Sequence, residues 1–165
     1  MKRRCAIAYA ASAVLSTHAS PSANPPLLTI SGGIHRANNP ANQTYEFSDA
    51  EFLALPQSSI TTATPWTPSS VFVGPNLLDV MTVVGATDGT LTFRALDDYA
   101  GSIPWEDLVR YGVILAHSQN GGRLNIKRWG PLWTIYPRDR YPEALTGPIA
   151  ESRFIWQVNR IEVSR

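Results

Sequence analysis

Residues Thr61 to Ser70 read TTATPWTPSS, an indole set between two threonines and two prolines. Pro65 and Pro68 fix φ on either side of Trp66 and remove two backbone donors, so the segment holds a flat apolar surface still. Thr64 and Thr67 place hydroxyls beside that surface. Such a loop suits stacking on a planar ring, although an indole here can equally plug one end of a core.

Three further segments carry groups able to recognise a ligand. LDDYAGSIP sets Asp97, Asp98 and Tyr99 at the end of an alternating strand, where side chains project into a loop layer; the plain alternative is a solvated turn. NIKRWGPLWTIYPRDRYPE interleaves Lys127, Arg128, Arg138 and Arg140 with Trp129, Trp133, Tyr136 and Tyr141. Cations among aromatic rings suit a flat, partly anionic or polar heterocycle or exposed nucleobases, or form a basic strip with snorkelling stems. ESRFIWQV brings Arg153 and Trp156 together, and an arginine near a core tryptophan expects a carboxylate, here Glu151 or Asp139.

These groups do not assemble into a reaction centre. The sequence has no supported Ser-His-Asp set, no glycine-rich phosphate loop and no His-carboxylate metal motif. Asp97 and Asp98 are chain neighbours, so their side chains diverge rather than act as an acid/base couple. His35 and His117 have no metal-ligand spacing and read as surface or polar strand residues. What remains is recognition by rings, carboxylates and arginines. A pterin or similar bicycle matches that set: its 2-amino and N3-H edge donates a pair of hydrogen bonds to a carboxylate, and its faces want an indole or phenol.

The chain that must position these groups has 165 residues and a formal net charge of +1, which gives no general pull toward nucleic acid or anionic membrane. Its start, MKRRCAIAYAASAVLSTHASPSA, joins a basic head to a short apolar run and small residues near Ala19. That is the layout of a secretory signal peptide over residues 1 to 19, too short to span a bilayer. Residues 20 to 165 are then one exported domain. The single cysteine, Cys5, leaves with the leader, and with it any disulfide or thiolate ligand.

Short strands dominate that domain. LLTISGGI is a strand broken at Gly32 and Gly33, SSITTAT a strand feeding the Trp66 loop, and TLTFRAL a half-buried strand with Leu91, Phe93 and Ala95 on one face. SDAEFLALP predicts a capped helical turn with Ser48 at the N-cap and Glu51 completing a capping box. GPNLLDVMTVVG predicts a helix with Pro75 in its first turn, a stripe of Leu77, Leu78, Met81 and Val84, and Gly85 as its C-terminal cap. IPWEDLVRYG predicts a second helix. VILAHSQNGGRL predicts a hairpin turning at Asn120-Gly121-Gly122, and PLWTIYP and FIWQVNRIEV predict closing strands. One α+β domain, mostly β with short helices, is the expected fold.

The order of six segments resembles the sulfite-oxidase-like molybdopterin-binding domain: FLALP at 52 to 56, GPNLLDVM at 74 to 81, DDYAGSIPWEDL at 97 to 108, VILAHSQNGGRL at 113 to 124, GPLWTIYP at 130 to 137 and WQVNRIEV at 156 to 163. In the molybdenum enzymes of that family the loop after the LxALP helix and its strand carries a metal-ligating cysteine. This chain has TATPWTP there, and threonine, proline and tryptophan cannot replace a thiolate. The TPWT loop, the DDY strand end, GPLWTIYP and the later Arg153, Trp156 and Gln157 are similar to the PruR-type periplasmic pterin-binding proteins, although IKRW stands here where those proteins read closer to VRDK. That resemblance implies a sensor of reduced pterins reporting to a membrane-bound partner such as a cyclic-di-GMP enzyme. It implies pterin contacts at Thr64, Trp66, Thr67, Asp98, Tyr99, Trp133, Tyr136 and Arg153, with Trp156 beside them, and no bound metal. Two rival readings are a molybdopterin-dependent oxidoreductase without cysteine ligation and an adaptor domain whose pocket is filled by its own side chains.

Overall fold

The structure, a computed structural model, describes residues 24 to 164; the leader expected over residues 1 to 19 and Cys5 lie outside them. The alternation of TLTFRAL becomes β5 (Thr90–Ala95), whose Leu91, Phe93 and Ala95 are buried. A strand with one apolar face needs a covering layer and paired edges, and β5 lies inside a five-stranded sheet. The order is β2 (Tyr45–Phe47), β1 (Leu28–Gly32), β11 (Val158–Ser164), β5, β6 (Ala100–Pro104). β1 and β11 run parallel and the other neighbours antiparallel.

A second sheet orders β3 (Gln57–Thr62), β4 (Ser70–Pro75), β8 (Ser118–Gln119) and β9 (Gly122–Arg123), all antiparallel. Between the halves runs a wholly buried ribbon of β7 (Ile114–Ala116) and β10 (Trp133–Ile135). Gly74 on β4 lies so close to the backbone of Leu115 and Ala116 that any Cβ would collide with it. The hairpin joining β8 to β9 turns at Asn120 and Gly121, both at positive φ, as their residue types predict.

The helices end where their capping residues say they should. α1 (Asp49–Ala54) has Ser48 at its N-cap with the full Ser48/Glu51 capping box, and Phe52 is its buried anchor. α2 (Leu77–Val84) buries Leu77, Val80, Met81 and Val84 and stops at Gly85 in the left-handed region. Its N-cap is Asn76, whose side chain accepts from Leu78 N–H, while Pro75 ends β4 instead of entering the helix. α3 (Trp105–Tyr111) and α4 (Pro148–Glu151) complete the set among the described residues.

Two further expectations change. The closing strand is confined to β11; Phe154 to Gln157 are irregular, with Gln157 at φ 54°, and a bulge between Val158 and Arg160 restores the inward phase for Ile161 and Val163. His117 is buried, with Nδ1 2.6 Å from Ser118 Oγ and Nε2 3.0 Å from Gln57 Oε1. The fold class stands as read: α+β, mostly β, with short helices.

Candidate functional site

Trp66 sits where β3 passes to β4, and its neighbours explain why it can be held out. Thr64 is 4% exposed. Its Oγ1 accepts from Trp66 N–H at 3.2 Å and Thr67 N–H at 3.0 Å and lies 2.8 Å from Thr67 Oγ1. The backbone closes the same turn, Thr64 N–H donating to Thr67 O at 3.1 Å. A 3₁₀ turn, Arg138–Arg140, fixes the stem: Asp139 accepts from Ala63 N–H at 2.9 Å and its own N–H donates to Thr62 Oγ1 at 3.1 Å. The indole so presented is 44% exposed. It meets Trp156 edge-on at 4.5 Å between ring centroids, and Trp129 lies behind both, stacked on buried Trp133 at 4.6 Å.

Beside Trp66 opens a cavity of about 320 Å³. Its aromatic lining is Trp66, Tyr99, Phe154 and Trp156, and its two charged lining groups are Asp97 and Glu151. The β5–β6 turn supplies Asp97 and Tyr99. Asp98 there takes φ 64°, and the two carboxylates part. Asp97 Oδ1 accepts from Tyr99 N–H at 3.1 Å and stays at the cavity, whereas Asp98 turns outward to Arg160 at 2.9 Å with its side chain 81% exposed. Across the turn Gln157, at φ 54°, accepts Leu96 N–H on its carbonyl at 3.0 Å. Two non-glycine residues in the left-handed region at one cavity edge are a costly arrangement that recurs at functional sites. α4 brings Glu151 to the same lining, and its Oε1 accepts from Arg138 at 3.3 Å.

Trp133, Tyr136 and Arg153 lie beneath this surface rather than in it. Trp133 is fully buried, its Nε1–H donating to Phe154 O at 3.3 Å. Tyr136 Oη donates to Asp107 Oδ2 at 2.9 Å, and Arg153 donates to the same oxygen at 2.6 Å. Burial first, and then the neighbouring Asp107 carboxylate, push the Tyr136 phenol far above its ordinary range. The partner of Arg153 is thus Asp107, not Glu151 or Asp139; those two are engaged by Arg138 and by Ala63 N–H. The triad pins α3 to the segment whose next residues, Phe154 to Trp156, line the cavity.

Of the residues singled out in the sequence, Trp66 and Tyr99 meet at the cavity, Thr64 and Thr67 shape the loop, and Asp98 faces away. Arg128 and Arg140 lie over Trp129 and Tyr141, and neither they nor Lys127 line the cavity. Sequence reasoning missed the wall made by Pro148 and Ser152. The available signal was GPIAES, a glycine and proline opening a helical turn at Gly147, which has φ 101°.

The donor set can be set against a metal-bearing cofactor. Residues 24 to 164 contain no cysteine, and the threonine hydroxyls of the Trp66 loop are engaged within it. Among the described residues no group of three His, Cys, Asp or Glu side chains stands ready to hold a metal ion. These groups do not fit a thiolate-ligated molybdenum centre.

No family model matches the chain, and no curated protein matches it. Among solved structures it is similar to the sulfane dehydrogenase SoxCD from Paracoccus pantotrophus, with 15% sequence identity and a TM-score of 0.61 over 82% of this chain and 37% of that chain. The chain therefore spans little more than a third of the length of that protein. At this identity the likeness concerns architecture, and the architecture is the sulfite-oxidase-like fold, carried by a single α+β chain that is mostly β.

Proposed function

We propose that the chain is a binding protein for a pterin, taken up at the Trp66 cavity without a metal. The observation that carries this reading is the pairing of a fixed, half-exposed indole with a carboxylate, Asp97, held at the same cavity by Tyr99 N–H. The indole stacks on the bicycle, and the carboxylate accepts from its amino-pyrimidinone edge. A cavity of about 320 Å³ lies at the lower end of the range of roughly 300 to 1,000 Å³ for small-molecule sites, suited to one bicycle with a short side chain. The reading assigns the protein recognition rather than catalysis: the lining offers stacking faces, and its two carboxylates are already engaged, Asp97 by Tyr99 N–H and Glu151 by Arg138. It goes on to place the protein in the periplasm, reporting ligand to a membrane-bound signalling partner. Such a report requires the partner to prefer the liganded form. The open cavity counts against an adaptor whose pocket is filled by its own side chains.

Titration of the full chain with neopterin and its reduced forms, read by tryptophan fluorescence, tests the assignment. One site per chain with micromolar or tighter affinity is expected. Absence of binding by all of them would remove the reading.

A further inference from the structure

The cavity has a sign. Its charged lining side chains are Asp97 and Glu151, and no lysine or arginine lines it. Each arginine nearby already has a carboxylate partner. Arg153 is spent on Asp107, Arg160 on Asp98, and Arg138 reaches only Glu151, at 3.3 Å, from outside the lining. The rest of the wall is largely apolar ring surface and small side chains, which screens charge poorly and offers few donors to an oxyanion. Phosphate recognition needs the opposite: arginine forks, lysines or convergent backbone N–H groups.

Resting on the pterin reading, we infer that this site selects unphosphorylated pterins, neutral or cationic, and rejects their phosphate esters. Asp97 accepts from the donor edge of the ring, and Glu151, in the same lining and only partly offset by Arg138 at 3.3 Å, adds to the repulsion against any anionic tail. The discrimination is therefore against biosynthetic and cofactor forms that carry phosphate, and in favour of the free, dephosphorylated molecule. A donor edge is required of the ligand too: a planar ring with the same stacking area but without the amino group offers Asp97 nothing beyond the Tyr99 N–H it already accepts.

The test compares neopterin with neopterin monophosphate on the full chain, at low and at high salt, and repeats both titrations on Asp97→Asn and Glu151→Gln. The expected result is binding of the ester at least tenfold weaker than the parent, a gap that narrows with salt and in Glu151→Gln, and loss of parent affinity in Asp97→Asn. Equal or tighter binding of the ester would overturn the selectivity while leaving the pterin assignment standing, and so would a gap unchanged by salt and by Glu151→Gln. Failure of both molecules to bind would overturn the assignment and the selectivity together.

Discussion

Trp66 and Thr64 divide one task between them. The hydroxyl of Thr64 satisfies two backbone N–H groups and so sets the loop, and Trp66 is free to present its ring because it is not needed to fill the core. Trp66→Ala should weaken pterin binding tenfold or more while costing about 1 to 2 kcal/mol of stability, below the roughly 3 to 5 kcal/mol of a fully buried aromatic; titration and chemical denaturation of the same variant separate the two. Thr64→Val should do the reverse in part, leaving buried N–H groups unpaired at about 1 to 3 kcal/mol and loosening the loop, with a lower melting temperature as the readout. The acidic pair gives a sharper contrast. Asp97→Asn should reduce affinity and Asp98→Asn should leave it unchanged, since Asp98 points to Arg160. Sequence could show that these neighbours diverge, but which one faces the cavity is decided by the left-handed backbone at Asp98, and no local pattern around an aspartate in a turn announces that.

At the scale of elements, the Tyr136–Asp107–Arg153 triad joins β10's downstream end, α3 and the segment below the cavity. Its members are 29 and 46 residues apart, so no spacing rule could find it. Removing Asp107 leaves an arginine without its partner in a largely buried setting. Asp107→Ala should therefore lower stability by about 3 kcal/mol, measured by denaturant unfolding. The raised Tyr136 phenol has a pH consequence. The unfolded phenol ionises near pH 10, whereas the folded one holds its proton above that, so the folded state binds more protons and its stability falls as pH rises beyond about 10. Tyr136→Phe should flatten that alkaline decline. His117 works in the opposite window: burial, first, and Arg123 lower its pKa, so stability is complete above about pH 6.5 and falls as acid charges the unfolded imidazole first. The elements with strong local signals were legible, including the Ser48 capping box, the Gly85 stop, the inward face of β5 and the Asn120-Gly121 turn. β4 was not, because its VFV core is short and abuts the stronger helix signal of GPNLLDVM. The end of β11 was overextended because the left-handed Gln157 and the bulge interrupt an otherwise continuous apolar pattern.

At the scale of the molecule, a sulfite-oxidase-like fold carries a cavity whose rim is built from distant parts of the chain: the Trp66 loop, the β5–β6 turn, α4 and the run into β11. The two sheets and the buried ribbon hold those parts in fixed relation, and close backbone packing at Gly74 is one of the places where they are locked. Nothing in the local sequence relates the turn at Asp97 to α4; only the assembled fold makes them face one cavity. The central claim is that this cavity holds a pterin against Trp66. Calorimetric titration of the full chain with 7,8-dihydroneopterin, run beside Trp66→Ala at matched folded fraction, measures that most directly. One site per chain, micromolar or tighter and lost in the variant, is expected; no heat with the native chain, or the same affinity in both proteins, would rule out a pterin held against Trp66.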